Sequence, residues 1–310
     1  MQRRTFLQSA IAAATTPLLP ATAGEPANQR IVDTHVHLWD LNRLRLPWIE
    51  KGTPLARSYL VKDYQTAIQG LNVVKGVYME VDVDPRDLVA EAEFVLELCR
   101  QGTSPLVAAV IGGRPAAEDF GQYLGRFRDN RFLKGVRQVL HTPSAKPGYC
   151  LTPAFVRGVR LLGERGLSFD LCMRPADLGD AVKLVEACPD TRFILDHCGN
   201  GPVYAADRTQ WQRDMDRLAR LRNVDCKISG IVVQARQKWT ADDLAPVINH
   251  SLNAFGPDRV LFAGDWPVCT LRATYRQWLD ALKTIVRNRP ADQQQKLFHD
   301  NAVRVYRLER

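Results

Sequence analysis

Two histidines at alternate positions, in Asp33-Thr34-His35-Val36-His37, follow directly on the apolar pair Ile31-Val32. In an extended chain alternate side chains share a face, so Asp33, His35 and His37 point to one side and two imidazoles converge. Such a pair can hold a divalent metal, carry a proton or orient a carbonyl, and it is costly to bury behind an apolar run without a purpose. Two further apolar runs end in ionisable groups: Phe193-Ile194-Leu195 leads into Asp196-His197-Cys198-Gly199, and Val260-Leu261-Phe262-Ala263-Gly264 into Asp265-Trp266-Pro267. A carboxylate placed there needs a charged or hydrogen-bonded partner, which clustered histidines supply. The other reading of Asp265 is an N-cap for a helix over 271–287, but Pro267 and Cys269 leave several residues before that helix proper.

The elements that must position these groups alternate along the whole chain. Strands are expected at 31–37, 74–81, 106–111, 133–140, 168–173, 192–197, 224–228 and 259–263. Between them lie stretches with apolar residues at helical spacing, such as Phe155, Val159 and Leu162, or Leu178, Val182 and Val185, or Leu244, Val247, Ile248 and Leu252. No repeat or linker divides the chain. Repeated β-then-α units in one chain of this length predict a single-domain α/β fold, the (β/α)₈ or TIM barrel, rather than an open sheet, because one closed parallel sheet accommodates every strand. In that fold chemistry sits at the C-terminal ends of the strands. His35 and His37, His197, and Asp265 all fall there.

Other side chains carry a second tier of expectations. Trp39, Trp48 and Tyr59 lie in the long segment after the first strand, which either closes over the mouth or packs on its rim. Arg174 ends strand five and Lys227 lies on strand seven, where each binds an acidic substrate group or pairs with Asp170 and other carboxylates. Glu80, at the end of strand two, is a supporting partner or an extra ligand. His141, His250 and His299 fall in a loop and in helical stretches and read as structural.

Composition is that of an ordinary globular enzyme, with 45% hydrophobic and 25% charged residues. The formal charge is +8, of which Arg3 and Arg4 contribute two, leaving +6 beyond residue 23. The basic residues are scattered with no run of five, which speaks against nucleic acid and is compatible with anionic small molecules. Seven cysteines without a C-x-x-C pair, several in apolar strands, predict buried thiols and no disulfide framework. Arg3-Arg4, an apolar run to Leu19 and the small-residue site Ala21-Thr22-Ala23 read as a removed twin-arginine export signal over 1–23. That leaves 24–310 as the mature domain, periplasmic or secreted, with no membrane association once the signal is gone. No feature of the sequence assigns an oligomeric state.

Several segments together resemble one family. They are Asp33-Thr34-His35-Val36-His37-Leu38-Trp39-Asp40, Lys134-Gly135-Val136-Arg137, Phe169-Asp170-Leu171 with Arg174-Pro175, Leu195-Asp196-His197, Cys226-Lys227-Ile228-Ser229-Gly230, and Phe255-Gly256-Pro257-Asp258-Arg259 through Gly264-Asp265-Trp266-Pro267-Val268. In this order they are similar to the amidohydrolase-related sugar-lactonase and pyrone-dicarboxylate-lactonase-like enzymes, over nearly the whole chain beyond residue 23. The resemblance implies a mouth cluster of His35, His37, His197 and Asp265, with Arg137 binding a substrate oxygen or carboxylate. It also implies hydrolysis of a small-molecule lactone: Asp265 takes the proton of the attacking water, the histidines polarise or orient the carbonyl, and Arg137 offsets charge developing on oxygen. Metal-dependent relatives add a strand-four carboxylate or lysine and a strand-five histidine, and those positions here offer Arg137 and Phe169-Asp170-Leu171-Cys172-Met173. A two-metal site is therefore not expected. One divalent ion, Zn²⁺ by preference, held by His35, His37, His197 and Asp265, and catalysis without metal both fit. Two further classes are non-oxidative decarboxylation, against which the missing strand-five histidine argues, and a non-catalytic sugar-acid binder, which predicts a defective cluster.

Overall fold

The computed structural model describes residues 29–142 and 145–308. The expected leader over 1–23 lies outside the described residues. Eight parallel strands follow one another around a single sheet: β1 Ile31–Val36, β2 Val73–Met79, β3 Leu106–Gly112, β4 Leu133–Val139, β5 Ser168–Cys172, β6 Arg192–Leu195, β7 Val224–Ile228 and β8 Val260–Phe262. Each strand is followed by a helix on the outside: α1 Val61–Ala67, α2 Leu88–Gln101, α3 Phe120–Gly125, α4 Pro153–Glu164, α5 Leu178–Ala187, α6 Thr209–Arg220, α7 Ala241–Phe255 and α8 Tyr275–Val286. This is the expected single-domain (β/α)₈ barrel. Each strand start is within a residue of its expected position, because parallel strands covered on both faces are short, nearly unbroken apolar runs.

Local chemistry sets the helix ends. Pro153 opens α4 at the position where a missing N–H costs nothing. Thr240 with Asp243, and Thr274 with Gln277, form capping boxes for α7 and α8. Because Thr274 caps α8, Asp265 has no capping duty.

Two apolar shells hold the barrel. The larger lies between strands and helices. The smaller fills the barrel interior, where Val32, Val77, Met79, Ala108, Val110, Ile194 and Leu261 meet Ala302, Val305, Tyr306 and Leu308. The last four come from a C-terminal helical run over 291–305 and the residues after it. Arg192 at the start of β6 donates to the Val305 carbonyl, and Asn301 donates to the Val260 carbonyl, so this segment plugs the end of the barrel opposite the strand C-termini. No helix among the described residues is long and apolar enough to cross a membrane. All seven cysteines are buried and unpaired.

The closing seam joins β8 to β1. Val36 bridges Trp266, the Asp265 N–H donates to the His35 carbonyl at 2.9 Å, and the His37 N–H donates to the Trp266 carbonyl at 2.8 Å. Here one expectation is corrected. Asp33 does not share a side with His35 and His37: its Oδ2 accepts from Tyr64 on α1 and Tyr275 on α8, in the helix layer. The pairing of β1 with β2 shifts register between Asp33 and Val36, and that irregularity breaks the two-residue alternation. Asp33 is instead a seam residue, its Oδ1 accepting from the N–H groups of His35 and Gly264.

Candidate active site

The C-terminal ends of β1, β6 and β8 bring His35, His37, His197 and Asp265 together. The His35 ring centre lies 4.7 Å from that of His37 and 4.6 Å from that of His197. His35 Nε2 is 3.1 Å from His37 Nε2, and Asp265 Oδ1 is 3.4 Å from His37 Nε2 and 3.7 Å from His35 Nε2. Ligand atoms of His35, His197 and Asp265 all fall within 4.8 Å of one another.

Supporting bonds fix which ring nitrogen faces the cluster. His37 Nδ1 meets the Met79 carbonyl at 2.9 Å, and since a carbonyl only accepts, the proton of the neutral ring sits there and Nε2 presents a lone pair. His197 Nδ1 meets the Ser229 hydroxyl at 2.9 Å, which leaves its Nε2 free. His35 Nδ1 lies 3.4 Å from Asp196. Burial holds His35 well below its ordinary pKa despite the opposing pull of Asp196, and it lowers His197 as well, so both rings are neutral near pH 7.

Arg137 on β4 joins the cluster from the opposite wall. Its Nε donates to Glu80 at 2.6 Å, one terminal nitrogen donates to the Glu80 carbonyl at 2.7 Å, and the other reaches Asp196 and His35 Nε2, each at 3.2 Å. Glu80, expected as a supporting partner or a ligand, is the partner that aims the guanidinium. Asp196 gathers three cations or rings: burial raises its acid, but Lys227, His35 and Arg137 outweigh that and hold the carboxylate well below its ordinary range.

His37, His197, Asp265 and Arg137 line a cavity of about 280 Å³, with Trp48, Asp82, His141, Asn200 and Gln234 among the other walls, and His35 sits behind them. Backbone strain clusters at this mouth. Asp82, His197 and Asp265, each just beyond a strand end, have φ of 48°, 55° and 52°. Left-handed conformations at non-glycine residues persist where surrounding structure over-determines them, and they gather at functional sites.

Of the alternatives open for Lys227, Arg174 and Trp39, the structure favours packing and ion pairing over substrate contact, and none of the three lines the cavity. Lys227 is fully buried inside the barrel, 2.6 Å from Asp170 and 3.1 Å from Asp196, and does not line the cavity. The two carboxylates outweigh desolvation and keep it protonated. Arg174 bonds Asp177 and the carbonyls of Thr142 and Ala145, so it pins the loop after β4 rather than facing substrate. Trp39 is buried with its indole N–H on the Arg57 carbonyl, packed edge-on against Trp48 and Tyr59; it buttresses Trp48, the aromatic that does line the cavity.

The sequence reading also missed groups. His141, taken as structural, lines the cavity with Nδ1 3.3 Å from the Cys172 sulfur, and desolvation and the charge of Arg137 lower its pKa. Asp82 was not singled out at all. Both lie on loops, where no periodicity tells a wall residue from a solvated one.

Fold and site together are those of a parallel barrel that gathers three histidines and an aspartate at a recessed mouth beyond its strand ends. The chain belongs to the amidohydrolase family, whose model matches residues 32–308. It is 31% identical over 299 residues to the uncharacterized protein y4mH of Sinorhizobium fredii, covering 90% of this chain and 98% of that one. It is 29% identical over 291 residues to an L-fucono-1,5-lactonase of Burkholderia multivorans, covering 89% and 96%. Among solved structures, a Burkholderia multivorans amidohydrolase with bound zinc superposes with a TM-score of 0.82 at 27% identity, covering 90% of this chain and 100% of that one.

Proposed function

We propose that this protein hydrolyses a small lactone, the cyclic ester of a sugar acid or related acid, by attack of water at the His35, His37, His197 and Asp265 cluster. The observation that carries the reading is the packing of acceptor atoms beside Arg137 at the cavity wall. Asp265 takes the proton of the attacking water. Arg137, held by Glu80 and Asp196, offsets the charge that grows on the carbonyl oxygen. His197, its Nδ1 settled on Ser229, completes the imidazole cluster behind the attacking water. Asp265 then returns the proton to the leaving alkoxide, and the ring opens to a hydroxy acid. The relative named as an L-fucono-1,5-lactonase supports this class of substrate.

The donor set fits one divalent ion. His37 Nε2, His35 Nε2 and Asp265 Oδ1 all accept, and they lie 3.1 to 3.7 Å apart. His37 Nε2 and Asp265 Oδ1, two acceptors 3.4 Å apart, call for a proton or cation between them, His35 Nε2 could join them by giving up its contact with Arg137, and the edges of a zinc tetrahedron with bonds of about 2.0–2.1 Å are of that size. We therefore assign His35, His37, His197 and Asp265 as holding Zn²⁺, which when bound supplies a Lewis acid and lowers the pKa of water. The Arg3-Arg4 leader is proposed to export the enzyme to the periplasm or beyond.

The test is a panel of aldonolactones incubated with purified protein while acid release is followed, with metal content measured on the same sample. Acid release and about one zinc per chain are expected. Release of carbon dioxide from a carboxylated substrate instead would mark a decarboxylase, and binding without turnover would mark a non-catalytic protein. Full activity in metal-free protein would refute the zinc assignment alone.

A further inference from the structure

We infer that Asp82 is a specificity-determining residue, accepting a hydrogen bond from a ring hydroxyl of a neutral lactone and turning away lactones that carry carboxylates. The inference rests on the lactone reading above and names the substrate class within it.

Asp82 lines the same cavity as His37, His197 and Asp265. It follows Glu80, the residue that holds Arg137, and its N–H donates to Glu80 Oε2 at 2.7 Å. With φ of 48° the chain turns left-handed at Asp82. One carboxylate oxygen, Oδ1, is held by Arg114 at 3.3 Å. The other, Oδ2, has no partner among the described residues, and the side chain stays 28% exposed. A carboxylate fixed by one oxygen on the wall of a recessed cavity keeps acceptor capacity for a donor. Burial and the neighbouring Glu80 push its pKa up to about 6, so it is ionised near pH 7 and above.

The charge inventory of the walls points the same way. Arg137 is the one Arg or Lys among the lining residues, and each of its three nitrogens already bonds Glu80, Asp196 or His35. Two carboxylates, Asp82 and Asp265, line the cavity with it. At the Asp82 end of the cavity a substrate carboxylate would meet a like charge and no uncommitted Arg or Lys, whereas a polyhydroxylated ring offers the donor that Oδ2 lacks. Specificity of this kind is set by what the site refuses as much as by what it binds.

The experiment compares wild type with Asp82→Asn and Asp82→Ala on a neutral aldono-1,5-lactone, on the same lactone lacking single ring hydroxyls, and on 2-pyrone-4,6-dicarboxylate. Wild type is expected to favour the neutral lactone. Both variants are expected to raise its KM about 10- to 100-fold, the worth of a hydrogen bond to a charged group, with kcat changed far less. They are expected to lose this effect on the one deoxy analogue that removes the bonded hydroxyl, and to gain kcat/KM on the dicarboxylate. Unchanged KM in both variants, or a wild type that prefers the dicarboxylate, overturns the inference while leaving the lactonase reading standing. Should wild type open no lactone, that reading fails, and calorimetry with the corresponding sugar δ-lactam decides this one: binding weakened in the variants upholds it, and binding that is absent or indifferent to Asp82 overturns it.

Discussion

Gly230 sets His197 in place, and Gly230→Ala turns that into a number. Gly230 follows β7 with φ of +65°, and a Cβ there would lie 2.4 Å from both Cγ and Nδ1 of the His197 ring. Ordinary carbon contacts begin near 3.5 Å, so the ring must retreat by roughly 1 Å. His197 has little room for this, since its own φ is 55° and its Nδ1 is bonded to Ser229. A misplacement of about 1 Å at a reacting centre costs on the order of 100-fold in rate. The left-handed backbone adds about 1–2 kcal/mol of instability for alanine, a melting shift of roughly 2–8 °C in a domain of this size. The two effects separate with a control. Gly102 ends α2 with φ of +64°, and a Cβ there meets nothing within 4 Å. Gly102→Ala therefore shows the backbone cost without the clash. The assay is kcat/KM on the lactone beside thermal melting: both variants should melt a few degrees lower, and Gly230→Ala alone should lose about two orders of magnitude in kcat/KM. Equal activity in the two variants would refute the claim that His197 needs its present position.

Three further outcomes are expected. Asp265→Asn keeps the shape and loses the basic oxygen, so kcat should fall about 100-fold or more with the melting temperature nearly unchanged; wild-type turnover would exclude the base role. Lys227→Met leaves Asp170 buried without its cation and Asp196 with Arg137 alone, a loss of about 3–5 kcal/mol by denaturant unfolding, and an unperturbed unfolding midpoint would argue that Lys227 is not structural. Glu91 on α2 is pushed up from 4.5 to about 8, chiefly by burial and then by Glu80. Its folded pKa exceeds its unfolded one, so its contribution is complete below about pH 4.5 and is lost as pH rises through about 8. Wild-type stability should decline by a few kcal/mol between pH 5 and 9, Glu91→Gln should flatten that part of the profile, and identical slopes would refute it.

The barrel was legible in the sequence because burial on both faces makes its strands apolar runs, and Phe193-Ile194-Leu195 or Val260-Leu261-Phe262 stands out without any partner being known. Strand ends placed His35, His37, His197 and Asp265 at the mouth, and the family resemblance implied that they form one cluster. What escaped has physical reasons. Asp33 went to the wrong side because a register shift leaves no mark in a single sequence. Lys227 read either as a substrate cation or as a partner of Asp170, because a single sequence does not say which strands face each other. In a barrel, interior side chains from alternate strands meet in one layer, so Lys227 of β7 meets Asp170 of β5 across the interior, which is visible only once the barrel is closed. Asp82 and His141 sit on loops whose direction is set by tertiary contacts, Arg114 holding the first and Arg174 pinning the loop of the second.

The seam explains why the reactive groups are so closely coupled to the fold. The bonds that close β8 onto β1 are made by the site residues themselves: Asp265 N–H to the His35 carbonyl, and His37 N–H to the Trp266 carbonyl. Next to them, Asp33 ties the Gly264 N–H, and Thr34 donates to the Phe262 carbonyl at 2.7 Å. Asp33 is also the anchor for Tyr64 and Tyr275, so the helices before and after the seam are fastened to the same carboxylate. Closing the barrel and assembling the cluster are therefore one event. The left-handed turn at Asp265 is affordable because its amide is already committed to β1, and relaxing that turn would open the seam. A site built on the β8–β1 seam keeps its geometry only while the barrel is shut, and it is rigid for the same reason the barrel is.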